Sequence, residues 1–157
     1  MQPTPQQVSQ RYAFAQTILL CAFAVVAVFL PGPLLFFFGI AISVGNFLCF
    51  IGILVIVLAF ISLRGTIQIA PEPRAGKQLV QKGIYRYLRH PIYTGIIFCA
   101  VGLWLKKPGA WMAVAGVIVI VFLVMKVRVE EELLRAVYPD YPQYKARTSG
   151  LFPGLRG

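Results

Sequence analysis

Ile51-Gly52-Ile53-Leu54-Val55-Ile56-Val57-Leu58-Ala59-Phe60-Ile61-Ser62-Leu63 holds no charged side chain, and the run ends at Arg64. It closes an uncharged stretch that reaches back to Tyr12. Within that stretch Pro31-Gly32-Pro33 breaks any helix, because proline removes a donor and restricts the residue before it. A span of about 12–30 therefore precedes the break. The segment after it, from Leu34 to Leu63, is too long for one upright crossing of ~20 residues. Gly39, Gly45 and Asn46 offer a bend, so the reading is a short lead-in and a second span over about 41–63. Small residues there (Ser43, Gly45 and Gly52) let helices approach closely.

The rest of the 157-residue chain fits the same class. It is 59% hydrophobic, well above the ~45–50% of soluble domains. A third apolar run covers 91–105, turns at Lys106-Lys107-Pro108-Gly109, and leads into a fourth over 110–128. The expectation is one all-α domain, an integral membrane helical bundle of about four transmembrane helices. Residues 1–11 read as a loose Gln/Pro-rich arm. Residues 64–90 form the long polar connection, irregular through Ala70–Gly76. Segment 129–157 reads as a tail, extended rather than helical from Tyr138 onward. No internal repeat is apparent.

Charge gives the orientation. The net charge is +10, with the basic residues of Arg64–Arg89, of Lys126–Arg156 and Arg11 falling on one side. Only Lys106 and Lys107 fall on the other. The positive-inside bias makes the richer side, and both termini, cytoplasmic. Flanking of hydrophobic spans accounts for the basicity, so no nucleic-acid partner is expected. Cys21, Cys49 and Cys99 lie inside apolar runs without metal spacing and read as small buried hydrophobes; no metal site is expected. The first apolar run exceeds the length of a signal h-region and reads as a retained helix. The end Leu155-Arg156-Gly157 is not a prenylation box.

Two polar clusters exceed what a lipid-facing helix needs. In Gly83-Ile84-Tyr85-Arg86-Tyr87-Leu88-Arg89-His90-Pro91-Ile92-Tyr93-Thr94-Gly95, two arginines, three tyrosines and the single histidine crowd the start of the third span. Proline disfavours helix at the residue before it and suits the first helical turn. The third helix therefore starts at Pro91 with His90 at its cap, beside Arg86 and Arg89. Its N-terminal N–H groups favour a carboxylate or phosphate there, and Tyr85, Tyr87 and Tyr93 supply flat walls. Interfacial anchoring explains a lone Arg or Tyr at this depth, but not the cluster. Glu130-Glu131-Glu132 end the fourth span, near an unfavourable dipole end unless Lys126 and Arg128 offset them. A solvated helix end accounts for Glu132 and competes evenly for the other two.

Leu79-Val80-Gln81-Lys82-Gly83-Ile84-Tyr85 running into Arg89-His90-Pro91-Ile92-Tyr93-Thr94-Gly95, followed by Arg128-Val129-Glu130-Glu131 and Tyr138-Pro139-Asp140-Tyr141-Pro142-Gln143-Tyr144, resembles the isoprenylcysteine carboxyl methyltransferases. These are integral-membrane enzymes related to phospholipid methyltransferases. The resemblance spans about residues 79–153. It implies S-adenosylmethionine as methyl donor and a lipid or lipid-modified acceptor. It further implies that Val80, Gly83, Tyr85, Arg89, His90, Tyr93 and Glu130 line the cofactor site and that Glu131 is the functional carboxylate. Some members carry an arginine five residues before that glutamate; here the position is Lys126, with Arg128 close by, and either can orient the acceptor. The alternatives are a nicotinamide-dependent membrane reductase of the sterol reductase type, or a small transporter or scaffold. No Asp or Glu precedes Glu72, which argues against a proton-coupled exporter.

Overall fold

The computed structural model describes residues 5–29, 38–64, 79–152 and 154. Every regular element among them is helical. They are α1 (Pro5–Phe29), α2 (Phe38–Leu63), a single 3-10 turn (Gly83–Arg86), α3 (Pro91–Lys106), α4 (Ala110–Val137) and α5 (Tyr141–Arg147). Three stretches are long and apolar enough to cross a bilayer: Gln10–Phe29, Gly39–Leu63 and Ala110–Val137. At 16 residues, α3 measures about 24 Å at 1.5 Å per residue, less than the ~30 Å hydrocarbon core. The outer faces of α1, α2 and α4 carry exposed Phe14, Ile18, Phe47, Phe50, Val57, Trp111, Val117 and Val121. Such all-round apolar helices suit lipid rather than water.

The bend expected near Gly39–Asn46 does not occur. Helix α2 is continuous from Phe38, and its glycines serve packing instead. A Cβ on Gly45 would lie 2.6 Å from the Gly102 carbonyl oxygen, and one on Gly52 would lie 2.6 Å from that of Gly95. The relation is reciprocal, since a Cβ on Gly95 would lie 2.5 Å from Gly52 O. Between each pair of glycines the Cys49 thiol faces Cys99 O and the Cys99 thiol faces Cys49 O, both at 3.8 Å. The two antiparallel helices thus share one pattern, Gly-x3-Cys-x2-Gly, at 45–52 and 95–102. This short repeat escaped the sequence reading, and it brings the two backbones together without an intervening side chain. Cys49 and Cys99 are free, half-buried packing groups, whereas Cys21, expected to be buried, is free and exposed on α1.

Phe23 of α1, Tyr93, Ile97 and Ala100 of α3, and Met112, Val119 and Leu123 of α4 form the apolar core. Three further expectations need correction. The arm over 1–11 is helical from Pro5, because proline at a first helical position is pre-organised and glutamine propagates a helix well. The fourth span does not stop at 128 but continues to Val137, carried by helix-forming Glu and Leu. The tail is not extended throughout. Residues 141–147 form α5, with Pro142 in its first turn and with Tyr141 and Tyr144, three apart, buried on one face. The lead-in over 34–37 and the loop Ala70–Gly76 lie outside the described residues.

Candidate active site at the foot of α3 and α4

The path into α3 is set by Gly83, whose φ of +58° is left-handed and costs a side-chain-bearing residue strain. A Cβ there would also lie 2.2 Å from Ser62 Oγ. That hydroxyl accepts from Ile84 N at 3.2 Å and donates to Leu58 O at 2.7 Å, pinning the 3-10 turn to the end of α2. Helix α3 then starts at Pro91 with His90 in the N-cap position, as the His-Pro pair predicts.

The segment from Tyr87 to His90 pairs in parallel with the chain after α5. Ser149 N donates to Tyr87 O at 3.0 Å, Arg89 N to Ser149 O at 2.9 Å and His90 N to Gly150 O at 3.3 Å. Tyr144 Oη adds a bond to Tyr85 O at 2.6 Å. The Thr94 hydroxyl lies against the His90 and Leu151 carbonyls. The tail is therefore the lid of this region rather than a loose end, and its backbone groups are satisfied by the hinge that it covers.

Arg89 organises the junction. Its Nε donates to Glu131 Oε1 at 2.8 Å, and Nη1 donates to Lys145 O at 3.0 Å and to Thr148 O. A cation on the last carbonyls of α5 satisfies groups that a helix end leaves open. Glu131 takes a second cation, Lys145 Nζ, at 2.7 Å. Beside them His90 stands between the carboxylates, with Nδ1 3.6 Å from Glu130 Oε2 and Nε2 3.5 Å from Glu131 Oε1. Its ring stacks on Tyr93 with centroids 5.6 Å apart and planes 6° apart. Tyr93 Oη donates to Glu130 Oε1 at 2.6 Å. Lys126 Nζ lies 3.6 Å from the same oxygen and 5.4 Å from the Tyr93 ring centroid. It donates to Gln16 Oε1 of α1. Arg89, His90, Lys126, Glu130 and Glu131 are all buried, and burial of so many charges is tolerable only because they are paired.

The foot thus gathers Arg89, His90, Tyr93, Lys126, Glu130 and Glu131. Tyr85 borders the cluster: burial first, then the Glu130 charge, pushes its hydroxyl up to about 12. Burial likewise raises the Tyr141 hydroxyl, with the Glu131 charge adding to it. Burial raises Tyr144 too, against the opposing charge of Arg89. All three remain neutral donors at ordinary pH. Gly83 acts through the turn that it permits, and Val80 is half-buried at the start of that segment. Arg128 and Glu132 are exposed, on a different face of α4 from Lys126 and Glu130. Gln16, Lys145 and Thr148 join the site without having been singled out, and Thr94, Tyr141 and Tyr144, quoted within the motifs but given no role, join it too. An amide inside an apolar helix was the readable signal for Gln16, and the three-residue tyrosine spacing was the signal for α5.

Residues 40–141 match the family model for phospholipid methyltransferases. The chain belongs to the phospholipid methyltransferase family. The family match contains the α3–α4 foot and the motif segments from Leu79 to Glu131, while α1 precedes it. Among curated relatives, the cobalt-zinc-cadmium resistance protein CzcN of Cupriavidus metallidurans is 31% identical over 85 residues, which is 52% of this chain and 38% of that protein. Among solved structures, a eukaryotic intramembrane Ras methyltransferase, isoprenylcysteine carboxyl methyltransferase, superposes with a TM-score of 0.63 at 19% identity. That likeness covers 95% of this chain and 54% of the other, and it extends the resemblance read from the motifs to the fold. The chain spans about half the length of that enzyme, and less of CzcN.

Proposed function

We propose that this family member transfers a methyl group from S-adenosylmethionine to a lipophilic acceptor that reaches the α3–α4 foot from the bilayer. The observation that carries the reading is the direct contact of two motifs forty-two positions apart, Arg89 on Glu131 at 2.8 Å, with His90 between both glutamates.

The residues fit such a donor. His90 Nε2 and Tyr141 Oη are buried beside Glu131 without a well-formed hydrogen bond among the described residues, Nε2 standing 3.5 Å from Glu131 Oε1, and under-satisfied polar atoms of this kind favour a bound polar ligand. Carboxylates and aromatic faces suit a cationic sulfonium. When bound, the donor supplies an electrophilic methyl; the acceptor lone pair forms the new bond to its carbon as the sulfur–carbon bond breaks. Catalysis of such a displacement is chiefly positioning in a water-poor site. In this reading His90, Tyr85, Tyr93 and Glu130 hold the cofactor. Arg89 and Lys145 fix Glu131. Gly83 and Val80 shape the approach. Lys126, buried and adjacent, orients the acceptor; the exposed Arg128 does not.

Arg86, Arg89, Arg128, Lys145 and Arg147 belong to the foot end, whereas Lys106 and Lys107 belong to the far end. The positive-inside bias then makes the foot cytoplasmic. CzcN is a cobalt-zinc-cadmium resistance protein; in this chain no group of three His, Cys, Asp or Glu side chains among the described residues converges to hold an ion.

Purified protein incubated with methyl-labelled S-adenosylmethionine and a total membrane lipid extract should give one labelled lipid class, resolved by mass spectrometry. His90→Ala should give none. Absence of labelled lipid, combined with saturable NADPH binding, would favour the reductase; binding of neither cofactor would favour a scaffold or transporter.

A further inference from the structure

The 3-10 turn Gly83–Arg86 opens without a cap of its own. Lys82 holds the N-cap position and makes no side-chain cap bond; a lysine carries donors only, so it cannot accept from the turn. The first N–H groups of a helical segment need acceptors from outside it. Ser, Thr, Asp or Asn at the cap ordinarily supplies one, accepting from the second or third residue.

Here that acceptor comes from another helix. Ile84, the second residue of the turn, donates its N–H to Ser62 Oγ at 3.2 Å, across 22 positions of sequence. The same hydroxyl donates to Leu58 O at 2.7 Å, so its proton is committed to α2 and its oxygen is left for the hinge. Gly83 makes the approach possible, since a Cβ there would collide with Ser62 Oγ and lie 2.9 Å from Ser62 Cβ. Ser62 caps the turn from a distance.

The next residue of the turn, Tyr85, faces the site twice. Its hydroxyl feels the Glu130 charge, and its carbonyl accepts from Tyr144 Oη of α5 at 2.6 Å. Helix α2 is joined to α3 along the glycine seam, so Ser62 ties the turn to the same frame that carries His90.

Resting on the methyl-transfer reading, we infer that Ser62 is a positioning residue for the cofactor site: its hydroxyl caps the 3-10 turn and thereby sets Tyr85 against the methyl donor. Ser62 touches neither donor nor acceptor. Through it α2 takes part in cofactor binding.

The test uses the whole protein in maltoside micelles, with S-adenosylhomocysteine affinity read by calorimetry. Ser62→Thr keeps a hydroxyl able to bond the carbonyl four residues back, and Ser62→Val has the same shape without it. Ser62→Thr should bind within about twofold of the parent and Ser62→Val about fivefold more weakly, the size of one net hydrogen bond. The pair shares its added methyl, so the difference between them reports the hydroxyl. Ser62→Ala, which adds no bulk, should match Ser62→Val and decides where either branched variant misfolds.

Tyr85→Ala supplies the readout that a merely structural serine would not move. Ser62→Ala should weaken binding in the parent and change it little in the Tyr85→Ala background, because the two act as one unit. A structural serine would lower the unfolding midpoint and leave affinity untouched. Parental affinity in Ser62→Ala, equal affinity in Ser62→Thr and Ser62→Val, or fully additive losses with Tyr85→Ala overturns the inference while the methyl-transfer reading stands. Failure of the parent itself to bind S-adenosylhomocysteine sinks that reading, and the role of Ser62 with it.

Discussion

The two ends of α3 are held by opposite means. Along its middle and C-terminal half, Gly95, Cys99 and Gly102 meet Gly52, Cys49 and Gly45 across a seam where backbone touches backbone. At its N-terminus, Arg89, His90 and Tyr93 meet Glu131 and Glu130 through charge and hydrogen bonds. The seam needs only the absence of side chains. Lipid offers no hydrophobic drive between helices, so close packing of small residues sets that pairing. The foot needs several elements at once, because each buried charge is tolerable only while its partners stay in place. A close-packed seam thus holds the helix whose cap carries the proposed site.

Breaking the foot should cost most. Arg89→Ala leaves Glu131 with one fewer cation and strips the cap from α5; a loss of about 3–5 kcal/mol is expected for a buried pair broken on one side. Chemical unfolding in detergent reads it. Arg89→Ala combined with Glu131→Gln should lose less than Arg89→Ala alone, since the carboxylate left with only Lys145 and His90 beside it is gone. Equal losses would mean that Arg89 acts mainly on the tail carbonyls.

Breaking the seam should come next. Gly95→Val places a side chain against Gly52 O and Ile56, an overpacking that costs about 3 kcal/mol. No charge substitution should restore it, unlike the foot. A Gly95→Val protein as stable as the parent would show that α2 and α3 slide apart freely.

High pH should loosen the tail before the seam. Tyr85 in the folded protein titrates near 12, against about 10 when unfolded, and Tyr141 and Tyr144 are also raised. A folded pKa above the unfolded one contributes stability that is whole below pH ~10 and declines from there as pH rises through the folded value. Proteolysis of the α5 segment should therefore accelerate above about pH 10, while the α2–α3 hairpin stays resistant. Tyr144→Phe, which loses the bond to Tyr85 O, should lower tail stability by about 1 kcal/mol at neutral pH. An unchanged cleavage rate between pH 9 and 12 would remove the tyrosines from the account of docking.

The same contrast explains what could be read from the chain. Long uncharged runs mark lipid-facing helices, so the spans ending at Phe29 and Leu63 were legible, as was the start of α3 from His90-Pro91. The meeting of Arg89 with Glu131 was implied by the motif resemblance and not by composition, because the two residues lie forty-two positions apart. Helix α5 was missed because Pro, Tyr and Gly bias a reading toward extended chain, while the burial that stabilises Tyr141 and Tyr144 comes from the hinge beneath them. The helical extent of residues 5–11 was hidden likewise, since glutamines carry no periodic signal. Gln16 was visible as an odd amide, but its partner lies 110 residues away and nothing local names it.

The central claim is that the foot binds one S-adenosylmethionine. Equilibrium binding of the labelled compound to purified protein in nanodiscs tests it most directly, with His90→Ala and Glu132→Ala alongside. Saturable binding near one per chain, lost in His90→Ala and kept in the exposed Glu132→Ala, is the predicted result. No saturable binding by the parent, or equal affinity in His90→Ala, would contradict it.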